Sequence, residues 1–359
     1  MTDPLLSMAM SVHANPGVYA LLLGSGVSRA ASIPTGWEVV EDLIRKIAVL
    51  AKEDCGADPA VWYRQKFGSE PDYSVLLDSV ARSPSERQQL LRSHFEPDDD
   101  EREQGLKQPT AAHRAVAKLV AKGYFRVILT TNFDKLIERA IEDEGVAPTV
   151  ISTPDAIEGA LPLVHQRCCV VKLHGDYLDT RIKNTPAELA GYDGRVARLL
   201  AQVFDEFGLI VSGWSGQWDM ALRAALERCP SRRFTMFWTS RGEPGETAKE
   251  LIRLRGGQTV LTPDADAVFT KLDELVTALA DSKRTHPSSV EATVALAKRY
   301  LSSPQYQVHL HDLVVDEAEA TCSRLAQHNQ EFLRHPRYSR SHAFHATSLS
   351  DPTTGFAPA

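Results

Sequence analysis

Short apolar runs alternate along the chain with amphipathic stretches. The runs are four or five residues long and rich in Leu, Ile, Val and Phe, as in Tyr19–Leu23, Phe125–Leu129 and Leu209–Ser212. The stretches between them place apolar residues three or four positions apart, as on one face of the helix predicted for 38–51. Strands that alternate with helices form a parallel sheet with right-handed crossovers. The pattern therefore predicts an α/β fold with a Rossmann-like parallel sheet.

Further strands are predicted by the same criterion, and an amphipathic helix follows most of them. They are Thr149–Ile151, Cys169–Leu173, Phe234–Trp238 and Gln258–Leu261. The carboxyl ends of parallel strands share one edge of the sheet, which is where the ligand of such a fold binds. Polar residues that directly follow the strands are therefore the candidates for a functional site.

The alternation spans residues 18–280, which we interpret as one nucleotide-binding domain preceded by an N-terminal segment, 1–17. Within the domain, residues 52–108 contain several prolines and short amphipathic pieces, which predict a helical insertion. Residues 281–334 are predicted to form a short helical appendage. The tail, 335–359, is rich in Ser, Pro, Thr and Ala with few aliphatic residues, and is expected to be loosely ordered.

Two shorter segments are predicted to be irregular. The polar stretch 281–289 is interpreted as a linker between the domain and the appendage. The acidic run Asp98–Glu103 is interpreted as a solvated loop, because like charges repel and favour contact with water.

The composition excludes several classes of protein. The chain has 359 residues, of which 43% are hydrophobic and 24% charged. No apolar run approaches the ~20 residues that span a bilayer, and the N-terminus lacks the basic n-region of a secretory signal. We therefore expect a cytoplasmic protein without membrane contact. The net charge of −7 gives no overall attraction to nucleic acid.

The cysteines predict neither disulfides nor a metal site. There are five, an odd number, and no C-x-x-C spacing occurs; they are Cys55, Cys168, Cys169, Cys229 and Cys322. Such a set suits neither a disulfide framework nor a zinc site, so we interpret the cysteines as reduced thiols and expect no zinc. Cys168 and Cys169 begin an apolar run and are interpreted as small core residues.

The first strand is followed by a glycine-rich turn, Gly24-Ser25-Gly26, and then by a segment that can open a helix. Glycines without a Cβ let the backbone approach a pyrophosphate, whose charge is stabilised at a helix N-terminus. The third glycine of the dinucleotide fingerprint is missing, since Arg29-Ala30-Ala31 occupies that region. An ordinary dehydrogenase is therefore disfavoured, and a plain tight turn stays an alternative interpretation.

Polar motifs also follow three later strands. They are Thr130-Thr131-Asn132-Phe133-Asp134, His174-Gly175-Asp176 and Gly213-Trp214-Ser215. Each has a structural alternative. Asn132 and Asp134 are preferred N-cap residues at a βα turn. His174 is alternatively a structural histidine before a turn glycine.

Taken in order, the motifs G-S-G-V-S, A-S-I-P-T, T-T-N-F-D, K-L-H-G-D and G-W-S resemble those of sirtuins over residues 18–280. More narrowly, the chain resembles the sirtuin-like NAD-hydrolysing domains of bacterial antiphage defence proteins. The resemblance implies a sirtuin-like fold and NAD+ as the substrate.

The resemblance also implies roles for individual residues. Asn132 would position the nicotinamide ribose and the attacking water, Asp134 would contact the nicotinamide side, and His174 would act as the general base. Further NAD+ contacts are expected at Gly24, Ser25, Gly26 and Ser28 for the pyrophosphate, Gly213 and Ser215 on the adenine-ribose side, Thr239, Ser240 and Asp264 for the adenosine, and Thr35 and Thr131.

The chain departs from the sirtuin deacetylases in three places. Their I-P motif continues with D-F-R, but Thr35-Gly36-Trp37 follows Pro34 here. Their T-Q-N-I-D has Gln where this chain has Thr131, and their zinc-binding C-x-x-C pairs are absent from the sequence. Deacylation of acyl-lysine is therefore disfavoured, and water is the expected acceptor.

We therefore expect an NAD+ glycohydrolase that yields nicotinamide and ADP-ribose and acts as an antiphage defence effector by depleting NAD+. Two alternatives stay open. One is an NAD-dependent ADP-ribosyltransferase or protein deacylase. The other is a non-catalytic sensor of NAD or ADP-ribose that gates a partner.

An enzyme that destroys a central cofactor needs control, and the appendage is too short for an obvious ligand-sensing domain. We expect a homo-oligomer that associates through helices such as 38–51 or 290–329. A separate activator, such as an ATPase or a nucleic-acid-sensing protein, is expected to switch the assembly.

Overall fold

The computed structural model describes residues 3–177, 191–217, 219–229, 231–284, 288–302, 306–315, 318–319 and 321–322. The chain divides into two compact units, residues 1–280 and 281–359. The first unit contains a seven-stranded sheet in which each pairing is parallel. Its strands are β1 (Tyr19–Leu23), β2 (Phe125–Thr130), β3 (Thr149–Ile151), β4 (Cys169–Lys172), β5 (Gly208–Ser212), β6 (Phe237–Ser240) and β7 (Gln258–Leu261).

The strand order is β3-β4-β2-β1-β5-β6-β7. Strands β2, β4 and β3 lie on one side of β1 and β5, β6 and β7 on the other, so the chain changes direction across the sheet at β1. In an open α/β sheet the ligand binds beside this switch point, outside the carboxyl ends of the strands.

Helices occupy most of the connections between the strands. The described helices of the first unit are α1 (Pro4–Ala14), α2 (Gly36–Leu50), α3 (Pro59–Phe67), α4 (Tyr73–Val80), α5 (Pro84–Phe95), α6 (Asp99–Glu103), α7 (Ala111–Ala121), α8 (Leu136–Asp143), α9 (Pro154–Gly159), α10 (Gly194–Glu206), α11 (Met220–Glu227), α12 (Glu246–Arg255) and α13 (Ala265–Arg284), whose last residues belong to the second unit. None of the described helices is long and apolar enough to cross a membrane.

Both faces of the sheet are buried. Leu21 and Leu23 of β1 belong to one hydrophobic cluster, which α1, α7 and α13 cover. Ala20 and Leu22 belong to the cluster on the other face, together with residues of α10 and α11. A strand that is covered on both faces has no exposed side, which explains why β1 is a continuous apolar run.

The insertion at residues 52–108 is helical and shares a hydrophobic cluster with α2. Leu43 and Ile44 of α2 pack with Leu76, Leu77 and Leu91 of α4 and α5. The acidic run was expected to be a loop, which is wrong, since Asp99–Glu103 forms α6. Capping explains the difference: the Asp98 carboxylate accepts a hydrogen bond from the Glu101 amide, and the Glu101 carboxylate accepts one from the Asp98 amide.

Three other boundaries differ from the sequence prediction. No α-helix opens directly after the glycine turn, because Ser25–Val27 and Arg29–Ala31 form single 3₁₀ turns. The next α-helix begins only at Gly36, beyond Pro34, whose ring disfavours helical backbone at the preceding residue. Strand β6 begins at Phe237 and continues to Ser240, which pairs with β7.

The second unit contains a helix, α14 (Ser288–Leu301), and more helical residues between 307 and 315. Helix α13 continues to Arg284, so the predicted linker at 281–289 is largely helical in its described part. The predicted tail, 335–359, and residues 323–334 of the predicted appendage lie outside the described residues.

Candidate functional site

A cavity of about 840 Å³ lies at the carboxyl ends of the strands, beside the switch point at β1. Its volume lies within the ~300–1,000 Å³ range of small-molecule and cofactor sites. The segments after β1, β2, β4, β5, β6 and β7 line it, and α2 and the insertion contribute Trp37, Pro71 and Phe95. The predicted site residues that line the cavity are Ser25, Gly26, Thr35, Thr131, Asn132, Asp134, His174, Gly213, Ser215, Thr239, Ser240 and Asp264.

Gly24 and Ser28 are the two predicted site residues that do not line this cavity. Gly24 lies where the loop after β1 meets the loop after β5. A Cβ on Gly24 would be 2.4 Å from the Gly213 carbonyl oxygen, and one on Gly213 would be 2.6 Å from the Val27 nitrogen. Gly213 also has a φ of +70°, which favours glycine. These glycines therefore let two loops pack backbone against backbone.

Amides of the loop after β1 are occupied by backbone carbonyls. The Gly24 amide donates to Ser212 and the Gly26 amide to Gly213, at 2.9 and 3.0 Å. The Val27 and Ser28 amides donate to Gly24 and Ser25 within the 3₁₀ turn. The predicted helix N-terminus for a pyrophosphate is therefore not formed here, because the 3₁₀ turn directs these amides to its own carbonyls.

Ser28 is fully buried beneath the cavity and connects two candidate residues. Asn132 Nδ2 donates a hydrogen bond to Ser28 Oγ at 3.1 Å, and Ser28 Oγ donates to Asp134 Oδ2 at 2.9 Å. The other oxygen, Asp134 Oδ1, accepts from the Leu136 amide at the start of α8. Asp134 therefore bonds the first amide of α8, whose N-cap residue is Lys135.

Asn132 leaves one buried polar atom unused. Its Oδ1 has no hydrogen-bond partner among the described residues. A buried acceptor without a donor is unfavourable, by about 1–3 kcal/mol. Since Asn132 lines the cavity, a ligand or a water molecule in the cavity can supply that donor.

His113 lies on the buried side of the same network. Its Nε2 is 3.4 Å from Ser28 Oγ, and its Nδ1 faces the Thr110 hydroxyl at 2.9 Å. Burial lowers the pKa of His113, and the negative charge of Asp134 opposes that shift. Burial therefore favours the neutral form of this imidazole.

Lys172, the last residue of β4, anchors the loop that carries Asn132. Its side chain is fully buried. The ammonium group donates to the carbonyl oxygens of Phe133 and Asp134 at 3.0 and 2.6 Å. It also lies 3.1 Å from Asp176 Oδ2 and 3.0 Å from Glu138 Oε1. One cation therefore holds the β2 loop against the end of β4.

His174 follows β4 and faces the cavity with a carboxylate behind it. His174 Nε2 lies 2.6 Å from Asp219 Oδ2. The Tyr192 hydroxyl donates to the same oxygen at 3.1 Å, and the Leu222 amide donates to Asp219 Oδ1 at 2.9 Å. Burial opposes ionisation of Asp219, but the bond and charge of His174, with the Leu222 and Tyr192 donors, lower the Asp219 pKa overall.

Three of the other predicted contact residues form local hydrogen bonds. Thr35 caps α2 in a capping box with Glu38. Thr239 Oγ1 donates to Ser212 Oγ at 2.8 Å, and Asp264 Oδ1 accepts from the Ala267 amide at 2.7 Å. Each of these residues still lines the cavity.

Sequence reasoning missed Asp219 and Lys172. Asp219 follows the G-W-S motif at the end of β5 and is the N-cap of α11, an ordinary place for an aspartate that does not by itself indicate a functional role. Lys172 is a charged residue that ends an apolar strand. A charge in such a position signals a buried partner, and this signal was available in the sequence. Among the described residues, no group of three or more His, Cys, Asp or Glu could hold a metal ion.

Comparisons with known proteins bear on the fold. Residues 126–255 match the model of the SIR2-like domain family. This range includes Asn132, His174 and Asp219. The seven-stranded parallel sheet confirms the predicted α/β fold class, and the match agrees with a sirtuin-like form of this fold. No curated protein sequence matches the chain significantly.

Solved structures of Sir2 proteins are similar to the chain at low identity. One, from work on the mechanism and regulation of Sir2 enzymes, is 16% identical and covers 78% of this chain and 99% of its own, with a TM-score of 0.43. A mutant Sir2 homologue in complex with 2′-O-acetyl ADP-ribose is 17% identical over 76% of this chain and 96% of its own, with a TM-score of 0.43. A Sir2 homologue in complex with NAD is 18% identical over 76% and 94%, with a TM-score of 0.39.

Proposed function

We propose that this chain is an NAD+ glycohydrolase, which cleaves NAD+ with water to nicotinamide and ADP-ribose. The observation that carries the proposal is the cavity at the switch point, which Asn132 and His174 both line. An amide with an unused buried oxygen and an imidazole therefore face one ligand-sized space. The match of residues 126–255 to the SIR2-like domain supports NAD+ as the ligand.

The reaction transfers the ADP-ribosyl group to water. The bond between the anomeric carbon and the pyridinium nitrogen breaks, and its electron pair neutralises the positive charge of the nicotinamide. The water oxygen forms the new bond to the anomeric carbon, and its proton is released. The transition state resembles an oxocarbenium ion, so a site that binds the ribose and places a polar group near the anomeric carbon accelerates cleavage.

His174 and Asn132 suit these tasks. His174 accepts the proton of the attacking water or of a ribose hydroxyl as general base. Asn132 holds the water and the nicotinamide ribose through Oδ1, while its Nδ2 is fixed on Ser28. Asp134, on the other side of Ser28, contacts the nicotinamide side of the cavity.

The adenosine half of NAD+ is assigned to the opposite part of the cavity lining. Thr239, Ser240 and Asp264 follow neighbouring strands, β6 and β7, beyond β5. Ser25, Gly26, Gly213 and Ser215 lie between them and the catalytic pair. This order along the sheet edge matches the order of adenosine, pyrophosphate and nicotinamide ribose in NAD+.

The test is to incubate the purified chain with NAD+ labelled in the adenosine moiety, with and without candidate activators, and to separate the products. We expect free ADP-ribose and nicotinamide in equal amounts. Asn132→Ala and His174→Ala should abolish cleavage. Asn15→Ala and His165→Ala make the same changes outside the cavity and should retain it. Label on protein would instead indicate a transferase, and binding without turnover in any preparation would indicate a sensor.

We further propose that the enzyme is a defence effector which depletes NAD+ and whose activity is gated by assembly. The protein would form a homo-oligomer whose pockets are closed. A separate activator, an ATPase or a nucleic-acid-sensing protein, would shift this assembly to a state with open pockets. A shift from 1:99 to 99:1 requires about 5.5 kcal/mol of preference for the open state. Light scattering combined with turnover measurements tests this: a dilute monomer with full activity would contradict it.

A further inference from the structure

The imidazole of His174 has two nitrogens, and among the residues that the structure describes a hydrogen-bond partner is found for one of them. Nε2 lies 2.6 Å from Asp219 Oδ2. An ionised carboxylate only accepts hydrogen bonds, so the shared proton belongs to Nε2. A neutral imidazole carries one proton, and the lone pair is therefore on Nδ1.

Asp219 is held in place by more than its contact with His174. It is 3% exposed and is the N-cap of α11, where the Leu222 amide bonds its Oδ1. The Tyr192 hydroxyl bonds the same oxygen as His174, at 3.1 Å. Two donors besides the imidazole therefore fix both oxygens of this carboxylate.

We propose that Asp219 is a positioning residue for His174: it holds the imidazole as the Nε2–H tautomer, so that Nδ1 is the atom that accepts the proton in the cavity. The role of Nδ1 rests on the proposed function, whereas the tautomer rests only on the geometry. Asp219 itself does not need to touch NAD+.

The helix cap alone does not explain this arrangement. Capping α11 uses Oδ1, and asparagine caps a helix about as well as aspartate. The contact of Oδ2 with His174 is additional and depends on the negative charge. The substitution Asp219→Asn therefore separates the two roles, because it keeps the cap and removes the charge.

Other charged groups near His174 have partners of their own. On the same strand end, Lys172 bonds Asp176 at 3.1 Å. From the loop after β2, Lys135 lies 3.5 Å from Asp176, and Asp134 bonds Ser28. The Phe133 ring lies 6.2 Å from the imidazole. Among the described residues, Asp219 is thus the carboxylate recorded in contact with His174.

The first measurement reads the tautomer without any substrate. Long-range ¹H–¹⁵N correlation spectra of the full chain labelled with ¹⁵N-histidine distinguish Nε2–H from Nδ1–H, and a His174→Ala sample identifies the His174 signals. We expect the Nε2–H pattern near neutral pH. A wild-type spectrum with the proton on Nδ1 would overturn the proposal, whether or not NAD+ is cleaved and whether or not any Asp219 variant folds.

The second measurement compares variants. Asp219→Asn should lose the pure Nε2–H pattern and lower kcat by about 10²-fold or more, with a smaller change in KM. Its matched control is Asp58→Asn, which changes the N-cap of α3 outside the cavity and should alter neither spectrum nor turnover. An Asp219→Asn protein with wild-type kcat would overturn the positioning role, whatever its spectrum.

The two proposals fail separately. If wild type shows the Nε2–H tautomer but no NAD+ cleavage under any condition, the glycohydrolase proposal fails and the Asp219 contact stands. If cleavage occurs and Asp219→Asn cleaves at the wild-type rate, the glycohydrolase proposal stands and the positioning role fails.

Discussion

Asn132 and Asp134 share the hydroxyl group of Ser28. Ser28 Oγ accepts a hydrogen bond from Asn132 Nδ2 at 3.1 Å and donates one to Asp134 Oδ2 at 2.9 Å. Ser28 comes from the loop after β1, whereas the other two residues come from the loop after β2. The hydroxyl therefore ties together two loops of the cavity and fixes the direction of the Asn132 amide.

Ser28→Ala should impair NAD+ cleavage although Ser28 does not line the cavity. The variant removes the anchor of Asn132 and leaves Asp134 Oδ2 short of a buried donor, which destabilises the fold by about 1–3 kcal/mol. We expect kcat to fall roughly 10-fold to 10³-fold, because the amide is no longer held in place. Product analysis and urea unfolding measure the two effects.

Ser231→Ala is the control for this variant. Ser231 Oγ donates to the Asp205 carbonyl outside the cavity, so its loss should leave turnover unchanged. Wild-type turnover in Ser28→Ala would show that Asn132 does not depend on this anchor.

Gly213→Ala should destabilise the protein more than the replacement of a left-handed glycine by alanine normally does. Gly213 and Gly123 have φ values of +70° and +81°. Only the Cβ at Gly213 meets neighbouring backbone, whereas nothing lies within 4 Å at Gly123. The left-handed conformation accounts for about 1–2 kcal/mol at either position, and the overlap at Gly213 should add about 1–3 kcal/mol.

Urea unfolding of the two alanine variants compares these terms directly. Equal losses in the free energy of unfolding for Gly213→Ala and Gly123→Ala would contradict the backbone contact between the loops. Both variants replace a glycine of positive φ with alanine. The difference between their losses in free energy of unfolding therefore measures the backbone contact at Gly213.

The sequence predicted the sheet well because the relevant signals are local. Each strand is a short apolar run, and a strand such as β1, covered on both faces, shows that run without interruption. The motifs after the strands were predicted to share one edge, and Asn132 and His174 do line one cavity. Parallel topology alone brings these strand ends together, so no contact had to be known in advance.

Two of the missed features depend on tertiary structure. Asp219 lies 45 positions beyond His174, and their contact exists only because the start of α11 lies near the end of β4. The hydrogen-bond partners of the amides after β1 depend on whether this segment forms an α-helix or 3₁₀ turns. The backbone contact with Gly213 helps to decide between them. Neither the spacing nor the periodicity of residues contains this information.

Cys168 and Cys169 should resist alkylation in the native protein. Burial raises the pKa of each thiol to about 12, and the thiolate is the reactive form. Cys322 is exposed and provides the internal comparison. With iodoacetamide near pH 8, peptide mapping should find Cys322 modified and Cys168 and Cys169 unmodified until urea is added. If Cys168 or Cys169 were alkylated in the native protein as fast as Cys322, these thiols would be accessible to the reagent and the prediction would be wrong.

Lys172→Met should destabilise the protein far more than the loss of an exposed ion pair. Methionine keeps most of the apolar stem but removes the buried charge. Glu138, whose pKa burial raises against the opposing effect of Lys172, and Asp176 then lose a cation. The carbonyls of Phe133 and Asp134 lose a donor. Breaking a buried pair from one side costs about 3–5 kcal/mol.

Lys122→Met is the matched control, because Lys122 forms an ion pair with Asp273 at 2.7 Å while 40% of its side chain is exposed. Such a pair contributes about 0–1 kcal/mol. If urea unfolding gave equal losses for the two variants, Lys172 would not anchor the loop. The double variant Lys172→Met with Glu138→Gln provides a second check, because neutralising the partner removes the unpaired buried carboxylate. It should recover part of the lost stability, and NAD+ cleavage should recover only as far as the loop that carries Asn132 returns to its place.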